Sequence, residues 1–376
     1  MSYDFAVIGA GIAGASLAWR LADKARVLLV ERESQPGMHS TGRSAAMFMQ
    51  TYGPPQVRAL TRASRACYET PPASFCETPL LAPRGALYVA YAGQQAAADE
   101  LLAELRHSGG VVDWVNARAV LVRVPVLRGE GLLGAISEPD AMDIDVHALH
   151  QAFLRGARQR AAALWVDAEL FGARRDDSGW VMQFSGGREA RAHTLVNAAG
   201  AWADSVAALA GLAPLGLQPT RRSAFTFDPP AGLDCRHWPT VADVDEGWYF
   251  KPDAGQLLGS PANADPVSAH DVVAEELDIA TGIARIEAAT TLSIRRPRRV
   301  WAGLRTFASD GEPVIGPDPL QPGFFWLAGQ GGYGIQSAAG VAELAEASLL
   351  GQPLPARLES EGVVAAALSP ARLRRL

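Results

Sequence analysis

Cysteine is scarce in this chain of 376 residues, which holds only Cys67, Cys76 and Cys235. Their odd number and the lack of metal-ligand spacing exclude a disulfide framework and a cysteine-bound metal, so we predict reduced thiols and no metal site. No apolar run is long enough to span a bilayer. A secretory leader is not expected either, because Asp4 stands where a basic segment is needed and glycines interrupt the first apolar stretch. These absences predict a cytoplasmic protein, with any membrane attachment peripheral.

Lysine is scarcer still, since only Lys24 and Lys251 occur and every other basic residue is an arginine. The net charge is −6, and the basic cluster at residues 295–299 is best explained as solvated surface, so no nucleic-acid partner is predicted.

Hydrophobic residues make up 48% of the chain, which indicates a folded globular protein. The length of 376 residues exceeds one usual hydrophobic core and predicts two domains.

A glycine-rich turn between two apolar strands is the most informative feature that the chain does have. The first strand runs into Gly9-x-Gly11-x-x-Gly14, an alanine-rich helix follows, and the second strand ends on Glu31. Gly9 permits a tight turn, Gly11 lets a pyrophosphate approach bare backbone at the positive end of the helix, and Gly14 lets helix and strand pack closely. Glu31 is placed to bind adenosine ribose hydroxyls and disfavours a 2′-phosphate. The pattern predicts an adenine dinucleotide site rather than an ordinary glycine-lined turn.

Three further segments are rich in small residues and lie at predicted turns. Residues 40–46 (STGRSAA) form a hydroxyl-rich turn that we expect to open a helix, with Ser40 or Thr41 at its cap. Residues 195–202 (LVNAAGAW) end a strand on small residues, which permits close approach of a flat or phosphorylated ligand. Residues 329–336 (GQGGYGIQ) begin an alanine-rich helix whose N-terminal end favours negative charge.

The alternation of strands and helices predicts an α/β (α+β) fold made of two interleaved domains. A Rossmann-like dinucleotide-binding domain is expected in residues 1–80, 141–211 and 300–376, with one of its strands over residues 166–170. An antiparallel-sheet domain that binds substrate is expected in residues 81–140 and 212–299.

The stretches VIGAGIAG, HSTGRSAA, LVNAAGAW and AGQGGYGIQ, in this order and spacing, resemble the D-amino acid oxidase-like flavoproteins, which include glycine and sarcosine oxidases. The resemblance covers essentially the whole chain. Longer stretches such as PGMHSTGRSAA, LGLQPTRRSAF and KPDAGQLLGSPANADP look most like the bacterial D-arginine dehydrogenases. The resemblance implies a first domain of the glutathione reductase type and FAD rather than NAD. It also implies non-covalent FAD, because members that attach flavin use a cysteine late in the chain and the last one here is Cys235.

The resemblance further implies which residues hold FAD. The predicted cofactor-binding residues are Gly9, Gly11, Ala13, Gly14, Glu31, Arg32, Ser40, Thr41, Gly42, Arg43, Ser44, Ala45, Ala46, Ala168, Asn197, Ala198, Gly200, Trp202, Gly303, Gly331, Gly332, Tyr333, Gly334, Ile335 and Gln336. The N-terminal end of the last long helix is expected at the N1/O2 edge of the flavin, where it stabilises negative charge on the reduced ring.

Arg222 and Arg305 lie in apolar contexts and are candidates for holding a substrate carboxylate, because the arginine fork binds a carboxylate bidentately. From spacing alone, salt bridges or surface positions explain them equally well. The resemblance favours carboxylate binding and adds Tyr52 and Tyr249 beside it as catalytic residues. No general base is evident among the seven scattered histidines, and hydride transfer from a neutral amine needs none. The groups expected near the substrate amine are the Gly332 carbonyl and Gln336.

Two positions depart from the arginine-specific pattern. The resemblance puts a histidine at Met47, and near Ala86 it puts an acidic residue that pairs with the substrate guanidinium. Met47, Met49 and Ala86 would instead form an apolar, adaptable wall, against which a guanidinium would be buried without a partner. We therefore expect neutral or apolar side chains on the substrate. The alternative is that the methionines fill the core and another residue supplies the charge.

The sequence thus predicts an FAD-dependent D-amino acid dehydrogenase acting on CH–NH2 donors. Hydride passes from Cα to flavin N5, and the resulting 2-imino acid hydrolyses to a 2-oxo acid and ammonia. A quinone or another carrier is the predicted electron acceptor. Alternatives on the same fold are oxidation of a secondary amine, as in glycine and sarcosine oxidases, or of a 2-hydroxy acid. A nicotinamide-dependent dehydrogenase and a flavin-binding protein without turnover are alternatives of other classes.

Overall fold

The structure, a computed structural model, describes residues 2–72 and 74–374. In chain order its strands are β1 (Ser2–Ile8), β2 (Val27–Val30), β3 (Met47–Phe48), β4 (Leu81–Pro83), β5 (Ala86–Tyr91), β6 (Asp113–Asn116), β7 (Leu132–Glu138), β8 (Met142–Ile144), β9 (Ala163–Trp165), β10 (Leu170–Asp176), β11 (Gly179–Phe184), β12 (Arg188–Asn197), β13 (Gln218–Phe227), β14 (Thr240–Asp243), β15 (Tyr249–Asp253), β16 (Gln256–Ser260), β17 (Asp265–Pro266), β18 (Arg299–Phe307), β19 (Val314–Pro317) and β20 (Phe324–Ala328). Its α-helices are α1 (Ile12–Leu21), α2 (Pro55–Glu69), α3 (Gln95–His107), α4 (Ala117–Arg123), α5 (Val146–Gln159), α6 (Ala203–Leu209), α7 (Glu276–Ala289), α8 (Gly334–Leu349), α9 (Ala356–Ser360) and α10 (Ala365–Leu368). Within these ranges no helix is both long and apolar enough to cross a membrane.

The first sheet is built around parallel strands in the order β20, β12, β1, β2 and β9. The β10–β11 hairpin pairs antiparallel with the first half of β12, and β19 pairs antiparallel with β20. Strands β2 and β20 are buried along their whole length, which explains why both are continuous apolar runs without alternation. On one face α1 packs against α5 and α8, and α2 packs against α8. Helix α8 is therefore covered on several sides, and nearly all of its residues are buried.

The second sheet has nine strands in the order β6, β7, β5, β14, β15, β16, β13 and β17, with β18 also paired to β13. All neighbours are antiparallel except β5 and β14. Helix α7 packs on β13 and β16, and α3 and α4 pack on β7. A small third sheet has the strand order β3–β8–β4. Its strands come, along the chain, where the chain passes from one large sheet to the other. The predicted mixed α/β fold with parallel and antiparallel sheets is confirmed.

Three local predictions differ from the structure. Residues 166–169 connect β9 to β10 instead of forming a strand over 166–170, because Asp167 adopts a left-handed backbone with φ +50°, and Leu170 begins β10. Residues 40–46 lead into strand β3, which pairs with β8, and not into a helix. Strand β18 belongs to the antiparallel sheet, so the predicted boundary near residue 300 falls inside a strand. The division into two domains otherwise stays a prediction.

Candidate active site

A deep cleft opens where the parallel strands of the first sheet end and faces strands β13, β15 and β18 of the antiparallel sheet. In open parallel sheets this edge is the usual place for a ligand. The predicted cofactor residues that line it are Gly9, Gly11, Ala13, Glu31, Arg32, Ser40, Thr41, Arg43, Ser44, Ala45, Ala168, Ala198, Gly200, Trp202, Gly303, Gly331, Gly332, Gly334 and Ile335. The predicted catalytic residues that line it are Arg222, Tyr249 and Arg305. Sequence reasoning missed some lining residues next to these segments, among them His39, Ser205 and Thr306.

The glycine turn has the backbone that its sequence predicted. Gly9 has φ +103°, and a Cβ atom there would lie 2.4 Å from the Ala198 carbonyl oxygen. A Cβ atom on Gly14 would lie 1.9 Å from the Gly9 carbonyl oxygen, so only glycine allows this contact between α1 and β1. Gly11 is the N-cap of α1, which has no side-chain cap and no acidic residue in its first turn. The helix therefore presents its positive end to the cleft.

His150 supports the turn from behind. Its Nε2 donates to the Ala10 carbonyl oxygen at 2.8 Å, and burial lowers the pKa of the imidazole, which keeps it neutral. It also approaches Gly37, where a Cβ atom would lie 2.8 Å from the ring. His150 is thus a buried, hydrogen-bonded histidine, and it is not among the residues that line the cleft.

Glu31 is only 7% exposed and holds its carboxylate between the glycine turn and the next loop. One oxygen accepts from the Ala10 amide and the other from the Glu33 amide, each at 3.1 Å. Burial raises the pKa of the Glu31 carboxyl. Each oxygen keeps a second lone pair, so a ribose hydroxyl can still donate to it.

The hydroxyls of residues 40–46 make contacts across the molecule instead of capping a helix that begins in their own segment. Thr41 Oγ1 accepts from the Ile12 amide at 3.0 Å, and Ser40 Oγ donates to the Leu304 carbonyl at 2.7 Å. Arg43 lines the cleft, but its guanidinium is bound by the Asp271 carboxylate and by the backbone carbonyls of Val272 and Ala302. Two other predicted residues of this segment, Gly42 and Ala46, do not line the cleft. The segment ties the glycine turn to β18.

Asn197, a predicted cofactor-binding residue, is fully buried and does not line the cleft. Its Nδ2 donates to the Ala203 carbonyl at 2.7 Å and its Oδ1 accepts from the Ala199 amide at 3.3 Å, so it shapes the turn. Beyond that turn, the Arg32 guanidinium lies 4.9 Å from the centre of the Trp202 ring. Ala168 reaches the cleft because its amide donates to the Glu31 carbonyl at 2.9 Å.

The C-terminal glycine segment forms a platform below the arginines. A Cβ atom on Gly332 would lie 2.8 Å from Arg305 Cζ, so the guanidinium packs directly on bare backbone. Helix α8 begins just after, at Gly334, without a side-chain cap. Tyr333 does not line the cleft, and its ring packs 5.0 Å from the ring of Tyr52.

Gln336 was expected near the substrate amine and as a cofactor contact, but its side chain is buried and used elsewhere. Its Oε1 accepts from the Met49 amide at 3.3 Å and its Nε2 donates to the Tyr52 carbonyl at 3.2 Å. Both ends of the amide thus bind residues 49–52. Gln336 fixes this loop, and it is not among the residues that line the cleft.

Arg222 and Arg305 lie side by side on the wall of the cleft. In the β13–β18 pair, Arg222 is opposite Gly303, two residues before Arg305, so both side chains are on the same face. Neither has a carboxylate within 4 Å among the described residues, and Arg222 Nε has no hydrogen-bond partner there. Arg305 Nη1 donates to Tyr52 Oη at 3.3 Å. Burial lowers the pKa of Arg222, and repulsion by Arg305 lowers it further. An anion bound between the two guanidiniums would offset the cost of burying the charge and reduce the repulsion.

The methionines and Ala86 come together next to the cleft but do not line it. Met49, Ala86 and Ala141 form a small buried cluster against which Met47, Tyr52 and Tyr88 pack. The sulfur of Met47 accepts from Thr240 Oγ1 at 2.7 Å. The wall is apolar, as predicted, while its contact with a substrate stays a prediction.

Sequence reasoning missed Glu138, which pairs with Ala86 across β5 and β7 and is 2% exposed. Its Oε2 accepts from Thr51 Oγ1 at 2.8 Å. Burial raises the pKa of this carboxyl to about 7. No local signal in the sequence marks this residue, because its place depends on strand register.

Comparison with known proteins agrees with this geometry. The profile of the family described as FAD dependent oxidoreductase (DAO) matches residues 4–347. The chain is 28% identical over 351 residues to the glycine oxidase of Geobacillus kaustophilus, covering 89% of each protein. It is 28% identical over 225 residues to the L-2-hydroxyglutarate dehydrogenase of Escherichia coli, covering 56% of this chain and 51% of that protein. The crystal structure of glycine oxidase from Geobacillus kaustophilus has a TM-score of 0.85 at 23% identity, over 100% of this chain and 99% of that one, which shows a shared fold.

The chain therefore belongs to the DAO family of FAD-dependent oxidoreductases. The predicted FAD is confirmed, and the nicotinamide-dependent alternative is set aside. The relatives named above are a glycine oxidase and a hydroxyglutarate dehydrogenase, so the resemblance to D-arginine dehydrogenases is supported at the level of the family.

Proposed function

We propose that this protein oxidises D-amino acids with neutral or apolar side chains to 2-imino acids, which water converts to 2-oxo acids and ammonia. Bound FAD supplies the two-electron oxidant, and a quinone or another carrier takes the electrons on. The single observation that carries the proposal is the pair Arg222 and Arg305, two guanidiniums on the cleft wall without a carboxylate partner among the described residues. A substrate carboxylate satisfies both.

The cleft fits non-covalent FAD, for which bare backbone at Gly9 and Gly11 and the N-terminal end of α1 would provide a pyrophosphate site. Glu31 would bind the ribose at the far end. The glycine segment before α8 and the start of that helix would border the flavin ring, with Arg305 packed on Gly332 beside it.

The substrate would lie with its carboxylate on Arg222 and Arg305 and with the hydroxyls of Tyr52 and Tyr249 beside it. Each charge-assisted hydrogen bond contributes about 1.5–3 kcal/mol. This clamp fixes the orientation of the α-carbon toward the cofactor, and no side chain needs to act as a base on a neutral amine. The relatives support a carboxylate site, since glycine and 2-hydroxyglutarate are both acids with a nitrogen or oxygen on C2.

Anaerobic mixing with a substrate panel tests the proposal. We expect neutral D-amino acids, such as D-methionine and D-norvaline, to bleach the flavin absorbance at least about tenfold faster than their L-enantiomers or D-arginine, a difference of about 1.4 kcal/mol. Glycine, sarcosine and 2-hydroxy acids belong in the same panel, because the named relatives make them the second candidates. Bleaching by one of these and by no D-amino acid would show that the proposed substrate is wrong. A flavin that no compound reduces would favour a binding protein without turnover.

The proposed preference for substrates with neutral side chains predicts that Ala86→Glu improves the oxidation of D-arginine. A carboxylate added to the apolar wall gives a guanidinium the partner that it lacks, so kcat/KM for D-arginine should rise about tenfold or more relative to D-norvaline. Glu138 lies directly opposite residue 86, but its carboxyl is bound by the Thr51 hydroxyl. Ala86→Gln, of equal size and no charge, is the matched control and should give no such gain. Equal behaviour of the two variants would contradict an apolar wall that contacts the substrate.

A further inference from the structure

We propose that Glu138 is a positioning residue that holds the substrate-binding hydroxyl of Tyr52 against Arg305 by way of Thr51. The inference rests on the proposed binding of a substrate carboxylate by Arg222 and Arg305. It assigns a role to a buried carboxyl that the proposed chemistry does not otherwise use.

The residues between β3 and α2, numbers 49–54, include Tyr52 and belong to no strand or helix. This loop is held from two sides. Gln336, in the first turn of α8, binds the Met49 amide and the Tyr52 carbonyl. On the other side, Thr51 Oγ1 donates to Glu138 Oε2 at the end of β7. Tyr52 is therefore fixed at its own backbone and at the residue before it.

The contact between Thr51 and Glu138 is buried and close-packed. Thr51 is 3% exposed and Glu138 is 2% exposed. The methyl group of Thr51 lies against Gly110, where a Cβ atom would come within 2.4 Å of Thr51 Cγ2. Thr51 is thus held by its hydroxyl on one side and by its methyl group on the other, which leaves one orientation for the side chain.

Glu138 has no cation within 4 Å among the described residues, so Thr51 is its closest charge-stabilising partner there. Arg58 acts on it only from a distance and is itself paired with Glu104 at 2.5 Å. A buried carboxyl with one donor is costly to leave without that donor. Glu138 therefore keeps Thr51 in place, and the loop conformation keeps Tyr52 Oη 3.3 Å from Arg305 Nη1.

Loss of this contact should weaken carboxylate binding without changing the oxidation step. The variants are Thr51→Val, which removes the donor at nearly constant shape, and Thr51→Ser and Glu138→Gln, which keep a donor and an acceptor. Thr290→Val is the control, because Thr290 is equally buried and donates to the Ile286 carbonyl in α7, away from the cleft. The probe is pyruvate, a 2-oxo acid, titrated into the oxidised holoenzyme while flavin absorbance is followed. Steady-state KM and kcat are measured with the best amino acid of the panel.

We expect Thr51→Val to raise the pyruvate Kd and the KM about tenfold with kcat within about twofold. Thr51→Ser, Glu138→Gln and the control should stay within about twofold of the wild type. If Thr51→Val does not fold, the double variant Thr51→Val/Glu138→Leu removes both polar partners together and should show the same loss. Unchanged pyruvate binding in Thr51→Val and in the double variant, or a fall in their kcat alone, overturns the role of Glu138. A wild-type protein that binds no 2-oxo acid instead overturns the proposed carboxylate site.

Discussion

Replacing Arg305 by methionine is expected to lower kcat/KM for the amino acid substrate about 10²–10³-fold, while the protein keeps its FAD. The bidentate contact with the carboxylate is lost, and two charge-assisted hydrogen bonds together contribute about 3–4 kcal/mol. Arg305→Lys should be intermediate, because an ammonium group cannot bind both oxygens in the same plane. Flavin reduction under anaerobic conditions, measured against substrate concentration, separates the loss of binding from a slower oxidation step.

The stability of this variant distinguishes a substrate site from a structural ion pair. Arg305 lowers the pKa of Arg222 by repulsion and has no carboxylate partner among the described residues, so its removal should not lower the thermal midpoint by more than about 2 °C. Arg299→Met is the matched control, since Arg299 is exposed at the start of the same strand. A large loss of stability with unchanged kcat/KM would identify Arg305 as structural and would remove the main support for the proposed function.

The parts of the fold that sequence predicted correctly are those set by local sterics. The turn from β1 to α1 requires glycine at positions 9 and 14 because a Cβ atom would collide with backbone atoms, and such requirements are visible in a single short motif. Arg222 and Arg305 were predicted from residue chemistry in an apolar context together with family resemblance. The register of β13 and β18 then places them on one face.

The features that sequence reasoning missed or placed differently depend on partners distant in sequence. Ser40 and Thr41 look like helix caps, but their hydroxyls bind Leu304 and the start of α1. The side-chain amide of Gln336 is hydrogen-bonded to two backbone groups of a loop nearly 290 residues earlier in the chain. Glu138 meets Ala86 only because β5 and β7 pair in one register, since a shift by one residue would turn its side chain to the other face of the sheet.

Replacing Gly14 by alanine is expected to have the second large effect, a loss of FAD affinity. Gly14 has the closest steric contact in the predicted cofactor site. The new methyl group would lie 1.9 Å from the Gly9 carbonyl oxygen, which is a backbone atom and cannot rotate away. Either α1 moves off β1 or the glycine turn changes shape, at a cost of about 3 kcal/mol for overpacking. Both responses displace the bare backbone on which the pyrophosphate would lie. The FAD Kd of the apoprotein should therefore rise about a hundredfold.

Fluorescence titration of the apoprotein with FAD, together with thermal melts with and without FAD, measures this effect. Gly172→Ala is the matched control, because a Cβ atom on Gly172 meets nothing within 4 Å and the residue lies on β10 of the same sheet. It should bind FAD as the wild type does. The apoprotein of Gly14→Ala should also melt several degrees lower, since strain in the helix–strand contact exists without the cofactor. Tight FAD binding by Gly14→Ala would mean that the pyrophosphate does not depend on this turn, and the cofactor would have to be placed elsewhere in the cleft.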